Sequence, residues 1–574
     1  MWAIAVKFLL IVAYLACDHA AVVERLGALG LSPALAIYIV LYSGLALALF
    51  LTACVPNPWV RTALALVLAV GSTFQHSVEW TTHGALTYDA FVDLWNSRTQ
   101  TSEALTQFGA VLLKALPVGL LLFLGLALPL RANRVPPKLS LGAPLAAITL
   151  LSGMFYLRGG EGSRALPAAF PPVTFAGIMV IDTLLEDNGP RQPVTFARTA
   201  APVGRDVVLL IDESVVGNYL DINDPHGVPT GLLQPPPGVR VTNYGYAASV
   251  HTCSANSNLG LRYGGTRETY QDTIAHGPSV WAYARRAGMR TVYIDAQSTG
   301  GQLQNLMTAQ ERAEIDDLIQ FDGIPVRERD MKIAEVLADR INDGRHEFIY
   351  VNKIGAHFPI QDKYPDAMLR YQPVLPRDEG HGLSWSSDRT GFDGRPEEWI
   401  RYRNSYRNTL LWNVGEFFHR LLARVDLDRA TIIYTSDHGQ DLHERGNPGN
   451  NTHCGTKEPL QEEGLVPLVV FEGAKSRTLD WGRDLAANRN GMSHFRVFPT
   501  VLTLMGYDRA AMKPAYGAAL DDPAKDDFSF NLTFNTRLGS KPKWRHIERN
   551  AIIAPPESDY AASRFAGKSR LESP

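Results

Sequence analysis

The sequence has little charge where it begins. Residues 1–157 carry 14 Asp, Glu, Lys and Arg side chains, whereas the other 417 residues carry 99. The averages over the whole chain, 20% charged residues and a mean hydropathy of -0.08, therefore describe neither part. We infer an apolar segment followed by a polar one, in a chain long enough for several domains.

Cysteine and net charge are also scarce. Four cysteines, with no Cys-x-x-Cys pair, exclude a disulfide scaffold and the usual structural zinc motif. A net charge of -3 provides no basic surface for phosphate backbones. We therefore expect no nucleic-acid partner.

Long hydrophobic runs fill the first segment, and about 20 apolar residues suffice to cross a bilayer. The runs are Trp2–Cys17, Pro33–Val55, Val60–Phe74, Phe108–Leu130 and Leu141–Leu157. They predict an α-helical membrane domain over residues 1–157 with about five transmembrane helices, with four or six as alternatives. A signal peptide fits the first run poorly because another apolar run follows soon after it.

Loop charges predict the orientation of these spans. Residues 131–138 hold three cations and no anion, whereas residues 75–107 hold four carboxylates and one arginine. The positive-inside rule places the 131–138 loop in the cytoplasm. With five spans, the N-terminus lies inside and everything after Leu157 lies outside.

The polar part resembles an α/β domain. Residues 158–204 are rich in Pro, Gly and Ala and form a predicted connector. Over residues 205–546, short apolar runs alternate with helical patterns, which predicts a mostly parallel sheet between helices. The predicted strands are Val207–Ile211, Thr291–Ile294, Phe348–Val351, Thr431–Tyr434 and Leu465–Phe471, and the clearest helices are Arg329–Ile341 and Tyr406–Val425. Residues 547–574 are predicted to be a polar C-terminal tail.

Polar groups suited to binding a metal follow three of the predicted strands. In open α/β sheets, ligand sites form beyond the carboxyl ends of the strands. These groups are Asp212-Glu213-Ser214, the stretch from Asn352 to His357, and Asp437-His438 with His453 further along. A polar loop from Cys253 to Gly260 could add a hydroxyl. Each group alone fits an ordinary loop or a helix cap, so the hypothesis of a site depends on their combination.

The order of these motifs resembles the membrane-anchored phosphoethanolamine transferases of the alkaline phosphatase/sulfatase superfamily. The resemblance extends from the first span to about Leu504. It is carried by Val-Leu-Leu-Ile-Asp-Glu213-Ser, the Cys253 to Gly260 loop, Ile354-Gly-Ala-His357-Phe-Pro, Tyr434-Thr-Ser-Asp437-His438-Gly-Gln-Asp-Leu-His-Glu-Arg-Gly446, Thr452-His453 and Met492-Ser-His494. It implies an α/β/α alkaline phosphatase-like (sulfatase-like) domain after the membrane helices.

The resemblance also implies a catalytic zinc ion. Glu213, Asp437 and His438 match its ligands, and carboxylate and imidazole donors are typical of such sites. Ser257 matches the family's threonine nucleophile, which also touches the metal. His357 and His453 match histidines that hold the transferred phosphoryl group or a second divalent metal, and His453 could protonate a leaving group.

The implied reaction is a ping-pong transfer in the bacterial inner membrane, with the catalytic domain in the periplasm. Ser257 attacks a phospholipid donor, phosphatidylethanolamine, and diacylglycerol leaves. A hydroxyl of a glycolipid or glycan acceptor, lipid A or lipopolysaccharide core, then takes phosphoethanolamine from the serine. The alternative on the same scaffold is a phosphoglycerol transferase or a phosphodiesterase-like hydrolase. A non-enzymatic member is disfavoured because the full set of site residues is present.

The chain departs from the family pattern at several positions. Tyr263 stands where the family has a second cysteine, so Cys253 is expected either to pair with Cys454 or to stay free. Asn352 and Lys353 replace a usual His and Gln, and we expect both on the substrate side. Formylglycine sulfatase chemistry is excluded because Cys253 to Ser257 lacks the required Pro and Arg.

Overall fold

The computed structural model describes most of the chain. The described residues are 2–82, 84–96, 101–129, 135–185, 190–200, 205–377, 395–446, 452–454, 459–476, 478–523, 525–532 and 541–560. Residues 130–134 of the predicted cytoplasmic loop and residues 561–574 of the predicted tail lie outside these ranges.

The N-terminal part of the chain, up to Leu185, is mostly helical over its described residues. Its helices are α1 (Trp2–Cys17), α2 (His19–Leu29), α3 (Pro33–Thr52), α4 (Pro58–Thr82), α5 (Tyr88–Asn96), α6 (Thr101–Ala127), α7 (Pro137–Leu157) and α8 (Pro171–Leu185). The five predicted spans fall on α1, α3, α4, α6 and α7, whereas α2 and α5 were not predicted. Helix α8 lies within residues 158–204, which were predicted to be a connector, so part of that connector is an apolar helix. The helical membrane domain is therefore confirmed.

Not all of these helices have the length and apolar composition of a membrane span. Among the described residues, α3 and α7 are long and apolar enough to cross a membrane, and the bent pair Ala5–Cys17 and His19–Leu29 could form a third span. The number of five crossings stays a prediction.

Small residues bring the membrane helices close together. A Cβ on Gly119 or Gly125 of α6 would come closer than 3.0 Å to Thr73 of α4 or Ile11 of α1. Such contacts are a common means of helix association in bilayers, where hydrophobic burial gives no preference for protein over lipid. They fix α6 between its two neighbours.

The second part of the chain is a sheet covered by helices. Its strands are β1 (Asp206–Asp212), β2 (Val239–Ala248), β3 (Arg290–Asp295), β4 (Asp317–Gln320), β5 (Glu347–Asn352), β6 (Ala430–Ser436), β7 (Leu465–Gly473), β8 (Met492–Ser493), β9 (Ser529–Asn531) and β10 (Trp544–His546). Its helices are α9 (Ser254–Tyr263), α10 (Tyr270–His276), α11 (Val280–Arg286), α12 (Ala309–Arg312), α13 (Val326–Asn342), α14 (Pro396–Leu410), α15 (Phe417–Leu422), α16 (Leu485–Asn488), α17 (Val497–Leu504) and α18 (Arg509–Tyr516).

Eight strands form one mixed, mostly parallel sheet in the order β4-β3-β5-β1-β6-β7-β2-β8. The first five strands in this order, from β4 through β3, β5 and β1 to β6, are parallel to one another. Strand β7 is antiparallel to both of its neighbours, β6 and β2. The five predicted strands are confirmed. Strands β2, β4 and β8, which lie at or near the two edges of the sheet, were not predicted.

Both faces of the sheet are covered. On β1, Val208 and Leu210 belong to one hydrophobic core, whereas Val207, Leu209 and Ile211 belong to the core on the other face. All of β1 is buried. This continuous apolar run is typical of a parallel strand between two helical layers, and it confirms the predicted α/β/α domain.

Part of the predicted connector lies against the α/β domain. The Arg191 guanidinium stacks 3.9 Å from the centre of the Tyr263 ring and donates hydrogen bonds to the carbonyls of Ile274 and Gly277. Tyr263 occupies the position where the resembling family has its second cysteine. At this position the connector packs against a buried aromatic ring, and no disulfide is possible there.

Residues 547–560, expected in a polar tail, lie against the domain instead. The Asp559 carboxylate is buried and accepts hydrogen bonds from Arg403, with Nη2 to Oδ1 at 2.9 Å, and from Arg407, with Nη1 to Oδ2 at 3.3 Å. Asn404 donates to the Asp559 carbonyl at 2.8 Å. The folded domain therefore extends at least to Tyr560.

Replacing Asp559 with alanine is expected to destabilise the domain by about 3–5 kcal/mol, because two buried guanidinium groups lose their counter-ion. Urea unfolding followed by tryptophan fluorescence would measure the loss. Glu557→Ala serves as the control, since Glu557 pairs with His226 in an exposed salt bridge worth at most about 1 kcal/mol. Equal effects of the two substitutions would contradict the prediction.

Candidate functional site

The site lies at the carboxyl edge of the central strands. Parallel pairing of β1 with β6 sets Asp212 beside Ser436, so the next residues, Glu213 and Asp437, leave the sheet side by side. The N–H of Asp437 donates to the Asp212 carbonyl at 2.9 Å. The strand ends thus bring together two carboxylates that are 224 positions apart in the chain.

Glu213 and His438 form the centre of the site. Glu213 Oε1 lies 3.3 Å from His438 Nε2, and both side chains are completely buried. Nδ1 of His438 lies 2.7 Å from the Gly439 carbonyl oxygen. That carbonyl fixes the ring and favours a proton on Nδ1, which leaves Nε2 free to bind a metal.

His453 completes a group of three ligands with Glu213 and His438. One ligand atom from each of the three lies within 4.8 Å of the others. The His453 and His438 rings are stacked with their centres 4.4 Å apart, and Thr452 Oγ1 lies 2.9 Å from His453 Nδ1. The structure therefore brings together these three predicted residues.

Asp437 adds a carboxylate oxygen that accepts no hydrogen bond among the described residues. Its Oδ1 accepts hydrogen bonds from the N–H groups of Ser214 and His438 at 3.1 and 2.7 Å. Its Oδ2 is buried, has no hydrogen-bond partner among the described residues, and lies 3.8 Å from His438 Nε2. An orphaned buried carboxylate oxygen beside another carboxylate suits a cation.

The electrostatics of the two carboxyl groups also indicate a cation site. Burial raises the pKa of Asp437 well above its usual value, and the charge of Glu213 raises it further. Burial also opposes ionisation of Glu213, but the hydrogen bond and charge of His438 outweigh it and lower the pKa of Glu213. Neighbouring buried carboxylates need compensating positive charge. Two carboxylates and two imidazoles fit a divalent metal such as zinc.

The hydroxyl at this cluster belongs to Ser254. Ser254 Oγ lies 3.2 Å from Glu213 Oε1 and 3.1 Å from His438 Nε2. Ser254 is the first residue of α9 and directly follows Cys253. Its hydroxyl therefore stands where a metal-bound nucleophile would be placed.

The predicted nucleophile, Ser257, lies elsewhere. Its Oγ donates to the His251 carbonyl at 2.8 Å and accepts the His251 N–H at 3.2 Å, and the side chain is fully buried. Ser257 sits about one helical turn beyond Ser254, so the structure does not bring it to the cluster. The assignment of Ser257 as the nucleophile stays a prediction, but the geometry favours Ser254, because α9 begins immediately after Cys253 and brings the Ser254 hydroxyl to Glu213 and His438.

His357 lies at the margin of the site. Its Nδ1 lies 2.5 Å from the Phe358 carbonyl oxygen, its ring stacks on Phe358 with centres 4.4 Å apart, and the Phe358 ring lies 6.2 Å from that of His453. His357 is partly exposed. It therefore lies outside the group formed by Glu213, His438 and His453.

Asn352 and Lys353 lie beneath the site, and the prediction that they bind substrate is not supported. Lys353 is fully buried, its Nζ lies 2.8 Å from Asp212 Oδ1, and it donates to the carbonyl of Asn413 in the π-helix Leu411–Glu416. Asn352 Nδ2 donates to Asp295 Oδ1 at 3.2 Å. Both side chains support the floor of the site and are closed to solvent.

A disulfide joins the two loops that carry Ser254 and His453. It links Cys253 to Cys454, the residues next to them in the chain. This confirms the pairing over the alternative of two free thiols. Cys17 and Cys54 take no part in a disulfide.

Comparison with known proteins defines the second part of the chain. The sulfatase family matches residues 205–507. The chain belongs to the sulfatase family. A curated relative, the Kdo(2)-lipid A phosphoethanolamine 7''-transferase of Escherichia coli (strain K12), is 22% identical over 277 residues, which are 46% of this chain and 45% of the relative. The chain thus matches less than half of that relative's length.

A solved structure extends the likeness to the membrane helices. The integral membrane protein lipooligosaccharide phosphoethanolamine transferase A (EptA) from Neisseria meningitidis is similar with a TM-score of 0.59 and 17% identity, over 88% of this chain and 95% of that chain. The sulfatase-family domain and the helices before it therefore share one known architecture.

Removing the disulfide from the sulfatase-family domain is expected to cost about 2–4 kcal/mol, because it closes a long loop in the unfolded chain. The cysteines are 201 positions apart. The double variant Cys253→Ser/Cys454→Ser should lower the thermal unfolding temperature of the purified protein, whereas Cys17→Ser should leave it unchanged. A double variant as stable as the unmodified protein would refute the structural role.

Proposed function

We propose that the protein is a metal-dependent transferase that moves phosphoethanolamine from a phospholipid donor, phosphatidylethanolamine, to a lipid A or lipopolysaccharide acceptor through a covalent phosphoserine. One observation carries the proposal: the Ser254 hydroxyl lies within 3.2 Å of both Glu213 and His438. A hydroxyl beside a set of metal ligands is the arrangement of a metal-activated nucleophile.

The comparisons support the substrate class. The names of the two relatives describe phosphoethanolamine transfer to lipid A and to lipooligosaccharide. The apolar helices of this chain suit a donor that resides in a bilayer. Lys543 of the sulfatase-family domain lies 2.7 Å from Glu161, just after α7, so the domain contacts the end of the membrane helices. We place the chain in the inner membrane with this domain in the periplasm.

A zinc ion held by Glu213, Asp437 and His438 would favour the Ser254 alkoxide. In the first half-reaction, Ser254 Oγ attacks the donor phosphorus, and the bond from phosphorus to the diacylglycerol oxygen breaks. His453, beside these ligands but not bound to the ion, carries the proton from the serine hydroxyl to that departing oxygen. The products are phosphoethanolamine-Ser254 and diacylglycerol.

In the second half-reaction, an acceptor hydroxyl attacks the same phosphorus. The bond from phosphorus to Ser254 Oγ breaks, and the proton of the acceptor returns to the serine through His453. His357 and Phe358, at the open margin of the site, lie where the acceptor would enter. Each half-reaction moves one proton from the attacking hydroxyl to the leaving oxygen, so no further proton donor or acceptor is needed.

Mass analysis of the Ser254 peptide tests this function. Purified full-length protein is incubated with phosphatidylethanolamine vesicles without acceptor and quenched in acid. A phosphoethanolamine adduct on Ser254 is the expected result. After incubation with phosphatidylglycerol vesicles, a phosphoglycerol adduct in its place would favour the phosphoglycerol transferase. No adduct with either donor would exclude the covalent mechanism.

A further inference from the structure

Gln297 reaches the site from a strand that the metal ligands do not use. It lies two residues beyond β3, which is separated from β1 by β5 in the sheet. Its N–H donates to the buried Asp295 carboxylate at 3.0 Å, which turns the chain toward the carboxyl edge. Gln297 is partly buried and belongs to none of the motifs of the sequence.

The two oxygens of Glu213 have different partners. Oε1 accepts hydrogen bonds from Ser214 Oγ at 2.8 Å and Ser254 Oγ at 3.2 Å. Oε2 accepts one from Gln297 Nε2 at 3.2 Å. Gln297 therefore holds the oxygen of Glu213 that does not face Ser254.

The amide of Gln297 is held in a single orientation. Its Nε2 also donates to the Lys353 carbonyl at 2.8 Å, and its Oε1 accepts from Gln304 Nε2 at 3.0 Å. Asn352 Oδ1 lies 3.4 Å from the same nitrogen. The three acceptors at one end and the amide donor at the other assign the nitrogen to the Glu213 side. Gln304 in turn donates to Asp295 at 3.0 Å, so the amide rests on the end of β3.

We propose that Gln297 is a positioning residue for the metal ligand Glu213. By binding Oε2, it sets the rotation of the carboxylate so that Oε1 points to His438 and Ser254. A ligand already in its binding orientation gains affinity because less freedom is lost when the metal binds. The inference rests on the proposed metal-dependent function.

Zinc affinity is the test, and Gln297→Met is the informative variant. Methionine keeps the length of the side chain and removes the amide donor. The full-length protein is stripped of metal with a chelator, and zinc binding is measured by competition with a chromogenic chelator. We expect an affinity about 10–100-fold weaker than that of the unmodified protein, as for other residues that orient metal ligands.

Two controls separate positioning from general damage. Gln302→Ala changes an exposed glutamine of the same loop and should bind zinc as the unmodified protein does. Thermal unfolding of the metal-free Gln297→Met protein should match that of the metal-free unmodified protein. A loss of affinity with these controls unchanged supports the positioning role.

Other outcomes overturn one proposal or the other. If the unmodified protein binds zinc and Gln297→Met binds it within about twofold, the positioning role is wrong and the metal site stands. Equal losses in Gln297→Met and Gln302→Ala, or a lower unfolding temperature of metal-free Gln297→Met, also refute it. If the unmodified protein binds no zinc, the proposed metal-dependent function itself fails.

Discussion

Ser254→Ala is expected to abolish transfer, lowering kcat by about 10⁴-fold or more, the scale seen when a covalent nucleophile is removed. The physical reason is position, since Ser254 Oγ is 3.2 Å from Glu213 and 3.1 Å from His438. Without that oxygen no phosphoserine can form. The measurement is release of labelled headgroup from phosphatidylethanolamine vesicles, together with the mass of the peptide that contains residue 254.

Ser257→Ala is the matched control on the same helix. Its hydroxyl bonds only to the backbone of His251 among the described contacts, so its loss should cost about 1 kcal/mol of stability and leave the adduct in place. Ser254→Thr keeps a hydroxyl at the helix start and should retain transfer. An active Ser254→Ala protein with an inactive Ser257→Ala protein would restore Ser257 as the nucleophile.

Asp437→Asn is expected to remove the metal. The change is nearly isosteric, but it replaces the orphaned Oδ2 and removes a negative charge from the ligand set. Zinc content, measured by atomic emission on purified full-length protein, should fall from about one ion per chain to a small fraction of that value. Glu213→Ala should give the same result, and transfer should be lost in both.

Asp206→Asn is the control for this prediction. Asp206 is also buried and stands at the opposite end of β1. Burial raises the pKa of Asp206 to about 8, and the carboxyl group lies away from the ligand cluster. Zinc content should be unchanged. Full zinc content in Asp437→Asn and in Glu213→Ala would exclude the proposed ligand set.

The ligand cluster is predictable because it follows from strand ends. Glu213 and Asp437 each come directly after an apolar run, and parallel strands align their carboxyl ends without any knowledge of the loops. His453 could be named as a candidate from the sequence, but its role came from the resemblance, since no strand precedes it. The edge strands β4 and β8 are too short to show a pattern, and β2 has a register shift between Asn243 and Tyr246.

Side-chain direction is the part that the sequence could not supply. Ser254 and Ser257 lie in the same polar loop, and only the start of α9 decides which hydroxyl meets Glu213. Lys353 follows β5 just as Glu213 follows β1, yet its side chain turns inward to Asp212. Gln297 would have been found by applying the same argument to β3, because that strand also ends at the edge of the site.

The link between Cys253 and Cys454 also bears on when the enzyme becomes active. Thiols stay reduced in the cytosol, whereas the periplasm oxidises them. A newly made chain therefore carries Ser254 and His453 on two unconnected loops. On the proposed topology, the two halves of the catalytic machinery are covalently joined only after export, and maturation of the active site coincides with arrival at the compartment where its acceptor resides.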